Sequence, residues 1–295
     1  MPNNVPDAVP TPDGLPQRDV ADDMRQRDEP APDDVTVRPF PARLERFARV
    51  ESTQSIVAGW LAAGQPEVCI AVADEQTAGR GRHGRTWVAP PGASLMLSIG
   101  FRPTWLAPRD AWRLPALVAL AMADAAEDVA GLRDGTVGLK WPNDLVIDGP
   151  GGSLLKVAGV LGDATARGDR LETVVVGLGI NAEWRAADFP AVLAGAMTSL
   201  FEASGGRPID RDALLEGFLG RLEPRLEALR GGRFDSGGWD GRQRTTGRRL
   251  AVEIGGGYVR GTGEGVDPAT GALLVRTDAG VLAIDTGEVT HCRLE

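Results

Sequence analysis

The chain has 295 residues, 42% of them hydrophobic, and a formal net charge of −9. It can bury a sizeable core in one large domain or two, and a sequence pI near 4.9 argues against the basic face that nucleic-acid binding needs. Two cysteines, Cys69 and Cys292, are too few for a disulfide framework and fit a reducing cytoplasm, no run of about eighteen apolar residues marks a membrane span, and no secretory signal is visible.

Residues 1–36 carry nine acids and three arginines, a net of −6 out of the chain's −9, with almost no large apolar residues. Such a stretch cannot offset its ordering entropy by burial, so residues 1–38 are read as a disordered acidic tail. Order is expected from about Pro39–Val50. Ser52 or Thr53 then caps a helix whose face is Ile56, Val57, Trp60 and Leu61 and which Gly64 stops. Val68–Ala73 reads as a buried strand, and Ser94–Phe101 as an alternating one with Leu95, Leu97, Ile99 and Phe101 on one side. Arg109–Ala130 is helical and ends at Gly131. Val137–Trp141, Lys156–Asp163 and Thr173–Ile180 are strands, and Asp210–Leu229 is an amphipathic helix that Pro224 should kink or split. After Gly231–Gly238 the texture changes to short strands between Gly and Asp turns: Leu250–Ile254, Tyr258–Gly263, Leu273–Thr277, Val281–Asp285 and Val289–Leu294. That spacing predicts a small all-β barrel over 247–295, behind a larger domain over 39–235.

The most distinctive stretch is Asp74–Trp87, in which Gly79, Gly81 and Gly84 alternate with Arg80, Arg82 and Arg85. Glycine adds backbone entropy that folding must remove, so this composition suits neither helix nor strand. It suits a mobile cationic loop, in which guanidinium forks bind phosphate or carboxylate and glycines let the backbone approach an anion. Three further segments follow: Lys140-Trp-Pro-Asn-Asp-Leu145, Lys156-Val-Ala-Gly159 and Gly177-Leu-Gly-Ile-Asn181.

In this order the four segments resemble the biotin–protein ligases, whose pattern runs GRGRxGRxW, KWPNDL, KxxG, GxGIN. The resemblance covers roughly residues 45–295. It implies an α+β fold, a mixed-sheet biotin/lipoate ligase-like catalytic domain followed by a small SH3-like β-barrel. It also implies a two-step reaction with ATP, biotin and Mg²⁺. The biotin carboxylate attacks the α-phosphate of ATP, pyrophosphate leaves, and biotinyl-5′-AMP forms. A lysine of a biotin carboxyl carrier domain, of an acyl-CoA or pyruvate carboxylase, then attacks the anhydride carbonyl and AMP leaves. Both nucleophiles come from the substrates, so the enzyme's tasks are positioning, charge neutralisation and exclusion of water.

Matched residue by residue, the resemblance gives Arg82, Lys156 and Lys140 the catalytic charges. Ser52, Thr53, Gln76, Gly79, Arg80, Gly81, Arg82, Lys156 and Gly159 would bind biotin. Arg82, Arg85, Trp87, Lys140, Asn143, Asp144, Gly179 and Asn181 would bind the nucleotide, with Asn143 and Asn181 at the adenine edge and Asp144 holding Mg²⁺ or orienting the arginine loop. Gly177 would let its strand approach the nucleotide. Plain helix capping is the other reading of Ser52 and Thr53, and it is compatible with ligand contact; Trp87 is either core or a wall of the site. His83 is treated as surface, and Tyr258 with the tryptophans outside the motifs as core. His291, Cys69 and Cys292 make no metal constellation.

The chain departs from the family at Gln54, where Asn is usual, and at Ala182, where a second Asn or a Met often follows. It departs again in the ten residues between Leu145 and Lys156, read as a longer hairpin turn that leaves strand register intact. A register slip would turn the lysine to the wrong side. A lipoate–protein ligase shares the implied fold and chemistry, but the arginine loop and the barrel favour biotin. Some relatives carry an N-terminal helix-turn-helix and repress transcription; nothing in the acidic tail has the periodicity for one. A pure interaction module would leave the ligand motifs unexplained. Relatives often dimerise through the catalytic sheet.

Overall fold

The structure is a computed structural model and describes residues 40–293; the tail expected over 1–38 lies outside the described residues. In chain order these form β1 (Arg43–Val50), α1 (Thr53–Ala62), β2 (Cys69–Gln76), the short β3 (Gly79–Arg80) and β4 (Thr86–Trp87), β5 (Ser94–Phe101), α2 (Arg113–Ala130), β6 (Gly138–Lys140), β7 (Asp144–Asp148), β8 (Leu154–Arg167) and β9 (Arg170–Asn181). Then come α3 (Leu200–Ala203), α4 (Arg211–Arg230), α5 (Ser236–Gly241), β10 (Arg249–Ile254), β11 (Gly257–Val266), β12 (Leu273–Thr277), β13 (Gly280–Ile284) and β14 (Glu288–Arg293). The fold is α+β, with a seven-stranded mixed sheet ordered β1-β2-β5-β9-β8-β7-β6 and a five-stranded antiparallel sheet ordered β13-β12-β11-β10-β14 that corresponds to the expected small SH3-like domain. Only β1 and β2 pair in parallel within the large sheet.

The two faces of the large sheet do different work, and the period-2 alternation of strands shows how. On β2, Ile70 and Val72 join the core under α2, while Cys69 and Ala71 pack with Val57 and Leu61 of α1. On β9, Val174, Val176, Leu178 and Ile180 point to the α2 side, and Val175 to the α1 side. Both sides of β2 are covered, which is why Val68–Ala73 reads as an unbroken apolar run. On β5 the expected side, Leu95, Leu97, Ile99 and Phe101, faces the main core. Its polar side is not solvated: Ser94, Met96, Ser98 and Gly100 are as buried as Leu95, Leu97, Ile99 and Phe101. Gly100 lies directly under α1, where a Cβ would meet Val57 Cγ1 at 2.7 Å and Cys69 Sγ at 2.8 Å.

Pro224 does not split α4, which runs unbroken from its Asp210 cap, whose carboxylate accepts from the N–H groups of Asp212 and Ala213. The helix over 109–130 starts only at Arg113, after a short 3-10 turn at Pro108–Asp110. Its inner end carries a buried charge network. Glu127, 2% exposed, accepts from Arg242 Nη1 at 2.9 Å and Nη2 at 2.8 Å and from the Val137 N–H at 2.7 Å, and Asp124 shares Arg242 at 2.6 Å. The core continues from α2 into the C-terminal sheet through Leu250, Val252, Val266, Leu273, Val275 and Val289. Tyr258, expected in the core, is 53% exposed beside Arg260. No helix of the described residues is long and apolar enough to cross a membrane.

Candidate active site

Where α1 stops covering its face of the sheet, the strands present residues without side-chain bulk. Met96, Gly179, Gly159, Asp144 and Lys140 lie in one row across β5, β9, β8, β7 and β6, because each is the direct partner of the next. Ser98 and Leu161 flank Gly177 in a second row. The result is a cavity of ≈ 380 Å³ floored by glycine backbone, within the size range of small-molecule sites. It is ringed by Arg80, Arg82, Arg85, Lys140 and Lys156.

The Lys-x-x-Gly spacing carries a problem that the fold solves. In a regular strand residues 156 and 159 point to opposite faces, yet both line the cavity. Leu145 pairs with Ala158 while Val146 pairs with Lys156, so Val157 is an extra residue, a β-bulge. Val157 and Ala158 are both buried, and Lys156 Nζ comes to 3.1 Å from where a Cβ on Gly159 would sit. The expectation of intact register is therefore wrong in an informative way. The register does shift, and the shift is what places the lysine on the same side as Gly159. The connection expected as a long turn is instead β7, a 3-10 turn at Pro150–Gly152 and the start of β8. Backbone bonds fix the lysine further: its N–H donates to Ala196 O at 2.9 Å and its carbonyl accepts from the Thr198 N–H at 2.9 Å. Nζ meets Asp144 Oδ1 at 2.6 Å and lies 5.6 Å from the Trp87 ring centroid, within cation–π range.

The arginine segment is a hairpin, not a free loop. β3 pairs with β4, Gly79 opposite Trp87 and Arg80 opposite Thr86, and a 3-10 turn over Arg82–Gly84 closes it with His83 left-handed at φ 55°. Gly81 donates its N–H to Arg85 O at 2.7 Å, so that amide is used inside the hairpin. Gly79 does not line the cavity; its hydrogen stands where a Cβ would be 2.5 Å from Trp87 O, which makes it a pairing residue. Arg80 Nη2 donates to Ser55 Oγ at 2.9 Å, Arg82 Nη1 to Gly287 O at 3.0 Å, and Arg85 Nη2 to Glu288 Oε2 at 2.6 Å. Burial lowers the Arg82 pKa, against the pull of the carboxylates of Glu288 and Asp144; arginine starts so high that it stays a cation at neutral pH. Trp87 lies on the glycine floor, its indole against Gly179 and Gly159. It is a wall of the site.

At the other end, Gln76 Oε1 accepts from the Thr53 N–H at 2.8 Å and from Thr53 Oγ1 at 3.1 Å, while Thr53 Oγ1 and Ser98 Oγ are 2.8 Å apart. Gln76, rather than a Ser52 side chain, thus satisfies the first turn of α1. Ser52 is buried, makes no side-chain cap bond and does not line the cavity. Asn143 and Asn181 are committed to the protein: Asn143 Nδ2 donates to Val160 O at 3.0 Å, and Asn181 donates to Thr198 O at 3.0 Å while accepting from Ser94 Oγ at 3.3 Å. The structure brings the remaining expected residues together in the cavity lining. It adds others the sequence did not mark: Ser98, Trp184, Leu193, Met197 and, from the C-terminal sheet, Glu288 and Val289.

Residues 46–181 match the biotin/lipoate A/B protein ligase family. The chain is 31% identical to the biotin–[acetyl-CoA-carboxylase] ligase of Mycobacterium tuberculosis over 85% of its length and 90% of the relative's. It is 33% identical to that of Paracoccus denitrificans over 82% of its length and 98% of the relative's. The chain belongs to the biotin–protein ligase family. The biotin protein ligase of Aquifex aeolicus, solved in complex with biotin and ATP, superposes on this family member with a TM-score of 0.71 at 27% identity, over 86% of this chain and 99% of that one. What sequence reasoning missed in this ligase lies on elements without motifs. Ser98 looked like the polar side of an alternating strand, and nothing in the sequence around Glu288 distinguishes it from a surface acid.

Proposed function

We propose that the cavity condenses biotin with ATP to biotinyl-5′-AMP and then presents the anhydride to a lysine of a carboxylase biotin carrier domain. The observation that carries this reading is the row from Met96 to Lys140: a floor without side chains at Gly179 and Gly159, with cationic groups at its rim. A carboxylate and a triphosphate repel each other, and bringing them together needs that rim. Thr53, Gln76 and Ser98 form the polar end suited to the ureido ring. Lys156 and Arg82 flank the place where the carboxylate oxygen attacks the α-phosphorus and the bond to pyrophosphate breaks. Trp87, lying on the glycine floor, walls the reacting groups off from water.

Asn143 and Asn181 act through the backbone they hold, Asn143 tying the β6–β7 turn to β8 and Asn181 tying the segment that fixes Lys156. These bonds use one N–H of each amide and one oxygen lone pair of Asn181, so a second N–H and a lone pair on each remain for the adenine edge. Among the described residues no cluster of three metal-ligating side chains exists. Asp144 is a carboxylate in the cavity lining, which suits Mg²⁺ that arrives with the nucleotide, held mainly by phosphate oxygens; the ion would neutralise charge on the departing pyrophosphate. Residues 39–235 would supply the binding floor and 247–295 the support behind the arginine hairpin. The outer edge of β1, unpaired among the described residues, supports pairing of two copies through the large sheet, which sedimentation tests.

The test is ATP–pyrophosphate exchange with Mg²⁺, comparing biotin with lipoate and octanoate. Exchange dependent on biotin establishes the first step; exchange with lipoate instead overturns the substrate while keeping the fold.

A further inference from the structure

Two acids line the cavity, and each is paired with a rim cation: Asp144 with Lys156, and Glu288 with Arg85. Glu288 opens β14, far from the motifs in sequence. Its Oε2 accepts from Arg85 Nη2 at 2.6 Å and lies 3.7 Å from His83 Nε2, and the neighbouring Gly287 carbonyl accepts from Arg82 at 3.0 Å. Arg82, His83 and Arg85 of the hairpin thus converge on two consecutive residues of the C-terminal sheet. Those residues are themselves held in place. Gly287 has φ 157°, and a Cβ there would come within 2.9 Å of Glu253 O and 3.0 Å of Val252 Cγ1. A second tie runs from the cavity wall to the same sheet, where Trp141 Nε1 donates to Gly271 O at 3.0 Å.

We infer that Glu288 is a positioning residue for adenylate formation: from the C-terminal sheet it holds the arginine hairpin closed over the glycine floor, with Arg82 and Arg85 set for the ligand's anionic groups. This rests on the reading of the cavity as the adenylation site. Without Glu288 the hairpin keeps its own β3–β4 pairing, but its arginines lose the contacts that aim them. Glu288→Gln keeps the shape and removes the charge that makes the bond to Arg85 a strong one.

Four proteins decide the matter: Glu288→Gln, Arg85→Gln, the double variant, and Glu264→Gln. The last breaks an exposed ion pair with Arg276 on the same sheet and is the control. Glu288→Gln is expected to lower kcat/KM for ATP in pyrophosphate exchange by about tenfold or more, with KM for biotin unchanged. Glu264→Gln should match wild type, and adding Glu288→Gln to Arg85→Gln should cost little more, as two partners in one contact do. Exchange by Glu288→Gln within twofold of wild type, or the same cost in both backgrounds, overturns the inference. Limited trypsinolysis without substrates gives a readout that needs no activity. Cleavage after Arg82 and Arg85, located by mass spectrometry, should be faster in Glu288→Gln than in wild type, and equal rates also overturn it. Arg85→Gln breaks the same contact without touching the C-terminal sheet, so faster cleavage after Arg82 in that variant keeps the test open if Glu288→Gln folds poorly. Wild-type protein that shows no biotin-dependent exchange sinks the functional reading, whatever the trypsin result.

Discussion

Gly179→Ala tests whether the indole of Trp87 sits on the glycine floor when the site works. An added Cβ would lie 2.6 Å from Trp87 Cε2 and 2.8 Å from Cζ2 and Nε1. Carbon–carbon contact settles at about 3.5–4.0 Å, so the ring must lift by about 1 Å. Gly179 has ordinary strand dihedrals. Alanine therefore adds no backbone strain and gains about 0.4–1 kcal/mol from a less flexible unfolded chain, against about 1–3 kcal/mol of overpacking. The melting temperature should move by only a few degrees. Catalysis should suffer far more, because a displacement of about 1 Å over the reacting groups costs on the order of a hundredfold in rate. The assay is biotin-dependent pyrophosphate exchange, with Gly159→Ala as a milder companion: there the Cβ meets the movable ends of Lys156 at 3.1 Å and Trp87 at 3.2 Å. Wild-type exchange by a normally folded Gly179→Ala would refute the reasoning, since the indole could not then rest on that floor during turnover.

Lys156→Ala should lower exchange by about 10²–10³-fold while transfer from presynthesised biotinyl-5′-AMP falls less; equal losses in both steps would remove the lysine from carboxylate activation. Thr53→Val deletes the hydroxyl between Gln76 and Ser98 and should raise KM for biotin by about tenfold, leaving KM for ATP alone, as steady-state kinetics would show. Glu127→Gln should destabilise the fold by about 3 kcal/mol in urea titrations at neutral pH, because Arg242 loses its main buried partner. Burial opposes ionisation of Glu127, but the Arg242 and Val137 hydrogen bonds outweigh it and hold its pKa below the ordinary glutamate value. The stabilisation from its charge is therefore full above the unfolded value and fades as pH falls through the folded one. The gap between wild type and variant should narrow in acid, and a gap that does not change with pH would refute that account.

Much of the site was legible because its chemistry is local in sequence. The Gly–Arg alternation, the Lys-Trp-Pro-Asn-Asp turn and the Gly-x-Gly strand are each short contiguous stretches that line the cavity, and the short strands of the C-terminal sheet are bounded by their own Gly and Asp turns. What was not legible depends on which face of a strand meets what. Alternation puts Ser98 on the side of the strand away from Leu95 and Leu97, and does not say that α1 and the cavity cover that side. Val157 cannot be recognised as an extra residue until its partners on β7 are known. The arginine segment was read as loop because glycine weakens strands, yet tertiary ties to Ser55, Gly287 and Glu288 offset that cost. Glu288 meets Arg85 across about two hundred residues of chain, a distance over which propensity and spacing say nothing.

The bulge at Val157 has a consequence for how this strand tolerates change in length. β8 is continuous from Leu154 to Arg167, and beyond the bulge its alternation is set by pairing with β9, Gly159 opposite Gly179. Before it, pairing with β7 governs, Val146 opposite Lys156. The extra residue is the joint between two rulers with opposite phase. Deleting it would leave a regular ladder, with Lys156 still opposite Val146 and on Gly159's side; keeping it in a ladder without the bulge would turn the lysine to the core face and bring Val157 and Leu155 to the chemical side of the sheet. Insertions are harmless at the Pro150–Gly152 turn, where the backbone is exposed and only the count of residues changes, and ruinous a few positions later, where the count decides which way a charge points.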